Sequence, residues 1–202
     1  MENRSEDLKR LANHFGLEYM PGGQHVLGDS FEHMWPFCHG LPNHATDLLY
    51  GTYAGHEWTL FDYVFQLDDD DRSFGVICAE VPCALPTLHL SPETFLERVG
   101  CKLGIHEMTF EVEEFNRRYF IRANDERSAY DILHPQSIDY LLSLPVRDWQ
   151  IHGCQIVVAR NSEYSIDEIP QVMQEIDGFI RLIPGYVLED QGFTPDWKGP
   201  FK

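Results

Sequence analysis

His56-Glu57-Trp58-Thr59-Leu60-Phe61-Asp62-Tyr63-Val64-Phe65-Gln66-Leu67 is the stretch whose reading decides the fold class. It is rich in aromatic and β-branched residues, and its alternation puts Phe61, Tyr63, Phe65 and Leu67 on one face, the period of a half-buried strand. Leu48 to Tyr53 precedes it across Ala54-Gly55, a pair suited to a tight hairpin turn. Asp68 to Asp71 predict the next turn, and Phe74 to Val81 a further strand running into Pro82 and Pro86. Leu88 and Leu90 predict another short strand, Met108–Glu113 and Arg117–Arg122 two more, and Trp149–His152 with Gln155–Ala159 a pair meeting at Gly153. The expected sheet has about five to seven strands.

Helical periods frame this β-rich centre. Ser5 caps a helix with Glu6 and Asp7 in its first turn and Leu8, Leu11, Ala12 and Phe15 on its inner face, before Gly16 ends it. Between Met20 and Thr46 the prolines and glycines break every period and predict loop. The segment from Ser91 to Leu103 predicts a short helix. Asp125 caps a helix through Ala129, Ile132 and Leu133, and Pro135 ends it and starts another carrying Ile138, Leu141 and Leu142. Ser165-x-x-Glu168 is a capping box, followed by an apolar stripe through Val172, Met173, Ile176, Phe179, Ile180 and Ile183. Pro170 interrupts that pattern and predicts that the regular helix starts there, after a tighter first turn. The order of elements predicts an α+β fold: a mainly antiparallel sheet with N-terminal, middle and C-terminal helices packed on it. The expected domain covers residues 1–185. Residues 186–202 are expected to form an extended tail docked by Phe193, Trp197 and Phe201.

Composition narrows the function classes. The chain has 202 residues, 43% of them apolar, enough to build a core without metal or disulfide staples. Its 33 acidic and 15 basic residues give a net charge of −18, which opposes nucleic acid and anionic membranes, because phosphate binding depends on Lys and Arg displacing counterions. No apolar run reaches the length that spans a bilayer, and the charged N-terminus lacks the basic start and apolar core of a secretory signal. The five scattered cysteines read as reduced thiols, so the expected compartment is the cytoplasm.

Several motifs touch on chemistry. His33, Cys38, His39 and His44, with His25 nearby, carry ligand types suited to zinc, but their spacing lacks the paired knuckles of structural zinc sites, so no cofactor is expected. His56-Glu57 and His106-Glu107 begin the helical zinc-protease pattern, yet positions 60 and 110 are Leu and Phe. The aspartate run at 68–71 fits no calcium loop in any register and reads as a solvated turn. Gly28-Asp29-Ser30-Phe31-Glu32 lacks the second glycine of a nucleophile elbow, and no phosphate-binding glycine loop occurs. Arg118 and Arg122 are expected on one strand face with Phe120, where they suit an anion. The seven acids between Glu107 and Asp131 favour internal ion pairing instead.

Short motifs are spread along the chain: Pro36-Phe37-Cys38-His39-Gly40, Leu49-Tyr50-Gly51-Thr52-Tyr53-Ala54-Gly55, Phe61-Asp62-Tyr63, Glu113-Glu114-Phe115-Asn116-Arg117-Arg118-Tyr119, and Ala129-Tyr130-Asp131-Ile132-Leu133-His134-Pro135. In these the sequence resembles an uncharacterised bacterial domain family with no assigned activity. The resemblance implies no catalytic residues. The expected function is a non-catalytic binding or scaffold module in a bacterial cytoplasm, whose partner is another protein. Two alternatives stand beside it. One is an acidic, immunity-type inhibitor of a basic partner. The other is a metal-dependent hydrolase using the loop from His25 to His44, assisted by Asp62 or Glu32.

Overall fold

The computed structural model describes residues 4–22, 31, 34, 37, 43–67, 70–92 and 106–190. Helix α1 (Arg4–Phe15) comes first, followed by strands β1 (Glu18–Gly22), β2 (Asn43–Tyr53), β3 (His56–Leu67) and β4 (Asp70–Pro92). Then come β5 (His106–Met108), α2 (Glu113–Arg118), β6 (Tyr119–Ala123), α3 (Glu126–Ile132) and α4 (Pro135–Ser143). Strand β7 (Asp148–Arg160) and helices α5 (Glu168–Ile180) and α6 (Gly185–Asp190) complete the order. The seven strands form one antiparallel sheet in the order β1-β2-β3-β4-β6-β5, with β7 also paired to β4. This is the α+β architecture that the sequence predicts.

The β2–β3 hairpin turns where expected. Ala54 and Gly55 both take positive φ, 52° and 88°, as a two-residue turn matched to strand twist requires. The Trp58 indole closes the hairpin by donating to the carbonyl of Tyr53 at 2.9 Å. The burial differs from a half-buried strand, however. Trp58 and Leu60 enter one core cluster while Phe61 and Tyr63 enter a second, so β3 is covered on both faces. Strands β4 and β7 repeat this: Ile77, Ala79, Ile156 and Val158 join the first cluster, and Val76, Cys78, Val157 and Ala159 the second. The helices supply the first cluster with Leu8, Phe115, Ile132, Leu141, Val172 and Phe179 among others, while Phe31, Met34 and Phe37 cover the second.

β4 is the axis of the sheet. Its first half, Asp70 to Glu80, pairs with β3, its end, Leu88 to Pro92, pairs with β6, and β7 runs along it from Gly75 to Leu90. The sequence predicts separate strands broken by Pro82 and Pro86, but both prolines lie within this one strand. They sit where the register to β7 shifts, between Glu80 and Leu85 and again between Leu85 and Leu88, so the missing N–H groups fall where the ladder is already irregular. The expected pairing of Trp149–His152 with Gln155–Ala159 is likewise replaced by one strand: both runs belong to β7, and both pair with β4.

Other boundaries move for identifiable reasons. Glu18–Gly22 is strand rather than loop, held by register to β2. Asp125 caps α3 as expected, its carboxylate accepting from the Ser128 N–H at 3.0 Å, and Pro135 opens α4. α5 starts at Glu168, two residues before Pro170, whose position in the first turn has no intrahelical N–H bond to lose. Gly185–Asp190, where the extended tail is expected to begin, is α6, with Val187 and Leu188 buried. Phe193, Trp197 and Phe201, and nearly all of the helix expected over Ser91–Leu103, lie outside the described residues.

Candidate functional site

The histidine-rich loop falls mostly outside the description: His25, His33, Cys38 and His39 are not among the described residues. His44 is on β2 with an exposed side chain, opposite Val64 in the register. Among the described residues, no three His, Cys, Asp or Glu side chains group so as to hold a metal ion. Asp62 is buried beneath α1, where Arg4 donates to its Oδ2 from Nη2 at 2.7 Å and from Nε at 3.1 Å. The cavity beside it, about 20 Å³, has room for about one water molecule. Asp62 is therefore the counter-ion that docks α1.

Arg118 and Arg122 do not share a strand face. Arg117 and Arg118 end the short helix α2, because Asn116 ties its own amide to both backbone groups of Phe110, at 2.9 and 2.7 Å, and folds this segment into a turn. Arg118 is held by Glu114 and the carbonyl of Leu142, each at 2.9 Å. Arg122 stays on β6 and donates from Nη2 to His89 Nδ1 at 2.8 Å. Because arginine only donates, His89 Nδ1 is the acceptor and its proton sits on Nε2, facing the Asp148 carboxylate at 3.0 and 3.2 Å. Gln150 adds a donor to Asp148 Oδ1 at 2.8 Å.

This Arg122–His89–Asp148–Gln150 row crosses three strands, and the register sets it: His89 lies opposite Arg122 on one side and Gln150 on the other. His89, Asp148 and Gln150 are each under 5% exposed. Burial lowers the pKa of Arg122, and the Asp148 charge opposes that shift. Both ring nitrogens of His89 are engaged, so the imidazole has no lone pair left for a substrate or a metal. Ser91, its neighbour on β4, is itself tied to the carbonyl of Phe120 at 3.3 Å. The row is a polar clamp holding β6, β4 and β7 in register.

Among the described residues, a site with room for a ligand lies elsewhere. A groove of about 560 Å³ opens between the Thr109–Val112 loop, Tyr130 of α3 with Leu133 just after it, and His134, Pro135 and Ile138 at the start of α4. Each wall is fixed locally. The Asn116 clamp holds Phe110, whose ring meets Phe115 and Tyr130 edge-on with centroids 5.7 and 4.9 Å apart. The Tyr130 hydroxyl donates to the Thr109 carbonyl at 3.2 Å, joining α3 to the loop. His134 Nε2 donates to the carbonyl of Leu182 at 2.8 Å, tying the α3–α4 corner to the chain after α5. Tyr130 and Tyr186 are about half exposed, and Tyr186 reaches Asp131 at 3.1 Å, so both aromatic rings stand on the α3 side of the molecule.

Neither the polar row nor the groove is spelled by local spacing. The signals that were present are single residues out of phase: His89 between two core leucines, and Tyr130 beside Ala129 yet off the inner stripe of its helix.

No family model matches the sequence, and no curated protein matches it. Among solved structures, the crystal structure of the mycobacterial trehalose monomycolate transport factor A, TtfA, is similar, with a TM-score of 0.65 at 12% identity over 91% of this chain and 98% of that one. At that identity the likeness is one of fold. No helix among the described residues is long and apolar enough to cross a membrane.

Proposed function

We propose that this chain is a non-catalytic binding module of the cytoplasm that seats an apolar segment of another protein, flanked by Lys or Arg, in the groove between the 109–112 loop, α3 and α4. The observation that carries the reading is the groove itself: about 560 Å³ walled by Phe110, Val112, Tyr130, Leu133 and Ile138, on preformed supports. Among the described residues, the carboxylate that lines it is Glu111, and the chain as a whole carries −18, so basic residues beside the apolar anchor suit the surroundings. The polar row supports a binding role too, since both ring nitrogens of its His89 are held by Arg122 and Asp148. TtfA is named as a transport factor, and the likeness of fold is in keeping with a chain that works by binding.

A photo-crosslinking residue at position 130, expressed in the native host, tests this. The expected result is a discrete protein adduct whose crosslinked peptide is apolar with adjacent Lys or Arg. The same probe at Val146, exposed but away from the groove, gives none. Equal adducts from both positions, or an adducted peptide that is acidic, would overturn the reading.

A further inference from the structure

Two of the described cysteines, Cys83 and Cys154, lie on the two strands of the irregular stretch where β4 and β7 meet. Glu80 pairs with Gln155 and Leu85 with Gly153, so Cys154 alone stands opposite the four β4 residues 81–84. Gly153 has φ 55° and resets the alternation of β7, so Cys154 keeps the phase of Ile156 and Val158. Those residues join the first core cluster, as does Cys83, which places both thiols on one face of the sheet. Directly opposed residues on adjacent antiparallel strands have Cα atoms about 4.5–5.5 Å apart, inside the about 4.4–6.8 Å that a disulfide bridges, and Cys83 lies in the short unpaired stretch that Cys154 opposes. The two thiols also differ in access: Cys154 is exposed, and Cys83 is 7% exposed. Burial, and then the charge of Cys154, push the Cys83 thiol upward in pKa.

We infer that Cys154 and Cys83 form a peroxide-responsive pair that closes to a disulfide across the β4–β7 bulge. The exposed Cys154 thiolate attacks hydrogen peroxide, breaking the O–O bond and leaving a sulfenic acid and hydroxide. Cys83, acting as resolving group, loses its proton and attacks that sulfur as the thiolate: the S–S bond forms, the S–OH bond breaks, and the departing hydroxide takes the proton as water. Two thiols lose two electrons and two protons in total, and the peroxide leaves as two waters. A bulge is a place where such a bond is accommodated, since the backbone there is not held by a regular ladder. Closure would pin the strands where their pairing lapses. The inference is independent of the groove.

The test treats the reduced full chain with hydrogen peroxide, alkylates the remaining thiols and maps them by mass spectrometry. The intact mass is expected to fall by two hydrogens, with one linked peptide joining Cys83 to Cys154 that dithiothreitol releases, while buried Cys78 stays alkylatable after unfolding. Cys154→Ser abolishes the linkage. In Cys83→Ser, or Cys83→Ala where the buried site rejects the hydroxyl, a Cys154 sulfenic acid accumulates and is captured by dimedone. Linkage of Cys154 to Cys38, to Cys101 or to a second molecule would overturn the inference. So would over-oxidation of Cys154 while Cys83 stays free.

Discussion

Asp62 sits 5% exposed under α1 with Arg4 against its carboxylate, and burial still outweighs the counter-ion. Desolvation raises its pKa to about 6, with the Arg4 hydrogen bond and charge opposing. The native state therefore holds the Asp62 proton more tightly than the unfolded chain, where the value is about 3.9. The stabilisation linked to that proton is complete below about pH 4 and is lost as pH rises through about 6. Asp62→Asn keeps an oxygen for Arg4 and removes the charge. It is expected to stabilise the protein by about 1–2 kcal/mol at about pH 8 and to have little effect at about pH 4, read from urea midpoints at the two values. Destabilisation at the higher pH would mean that the ion pair, not the desolvation, dominates.

At the scale of elements, α4 and α5 are joined through a glycine and a tyrosine. A Cβ on Gly178 would overlap the Tyr140 hydroxyl and lie 2.7 Å from its Cζ, while that hydroxyl donates to the Glu175 carbonyl at 3.0 Å. Gly178→Ala should raise helix propensity by about 1 kcal/mol yet cost about 1–3 kcal/mol in displaced packing, for a net loss. In a Tyr140→Ala background the same change should become stabilising by about 1 kcal/mol, because only the propensity gain remains. A double-mutant cycle by chemical denaturation checks the change of sign. If Gly178→Ala costs the same in both backgrounds, the contact is not what holds the two helices together.

The same scale shows what was legible in the sequence. The β2–β3 hairpin, α3 and α4 follow from local codes, turn residues with positive φ, the Asp125 cap and Pro135, while α1 and α5 follow from their apolar periods alone: Ser5 lies inside α1, its hydroxyl on Asp47, and the N-cap of α5 is Asp167 rather than Ser165. Pro82 and Pro86 misled because a proline inside a strand is tolerated at a register shift, and such a shift depends on the partner strand β7, some seventy residues away. Arg117 and Arg118 alternate as a strand would, but the Asn116 amide bonded to the Phe110 backbone makes the segment helical. The groove was not readable at all, since its walls come from a loop and two helices that converge only after folding. Alternation did announce that β3 buries Phe61 and Tyr63, but burial of the opposite face depends on α1 and α5, which no local period encodes.

Over the whole molecule the excess of 33 acids over 15 bases sets how salt acts. Exposed pairs such as Lys9–Glu6 and Arg117–Glu114 contribute little, and salt screens them. The Arg147–Glu175 pair, 2.5 Å apart with side chains 11% and 5% exposed, is largely shielded from that screening. What remains is the repulsion among eighteen uncompensated negative charges, the excess of acids over bases, and salt relieves it as the Debye length falls from about 10 Å at 0.1 M toward about 3 Å at 1 M. Raising sodium chloride over that range should therefore raise the thermal midpoint by several degrees. The same screening should weaken encounter with a basic-flanked partner, so the adduct yield from position 130, with the crosslink made in a lysate of the native host at each salt concentration, should fall several-fold. Stability and capture are expected to move in opposite directions with one variable, which separates electrostatic steering from unfolding. If both fall together as salt rises, loss of structure accounts for the lost adduct and the charge of the chain plays no part in partner choice.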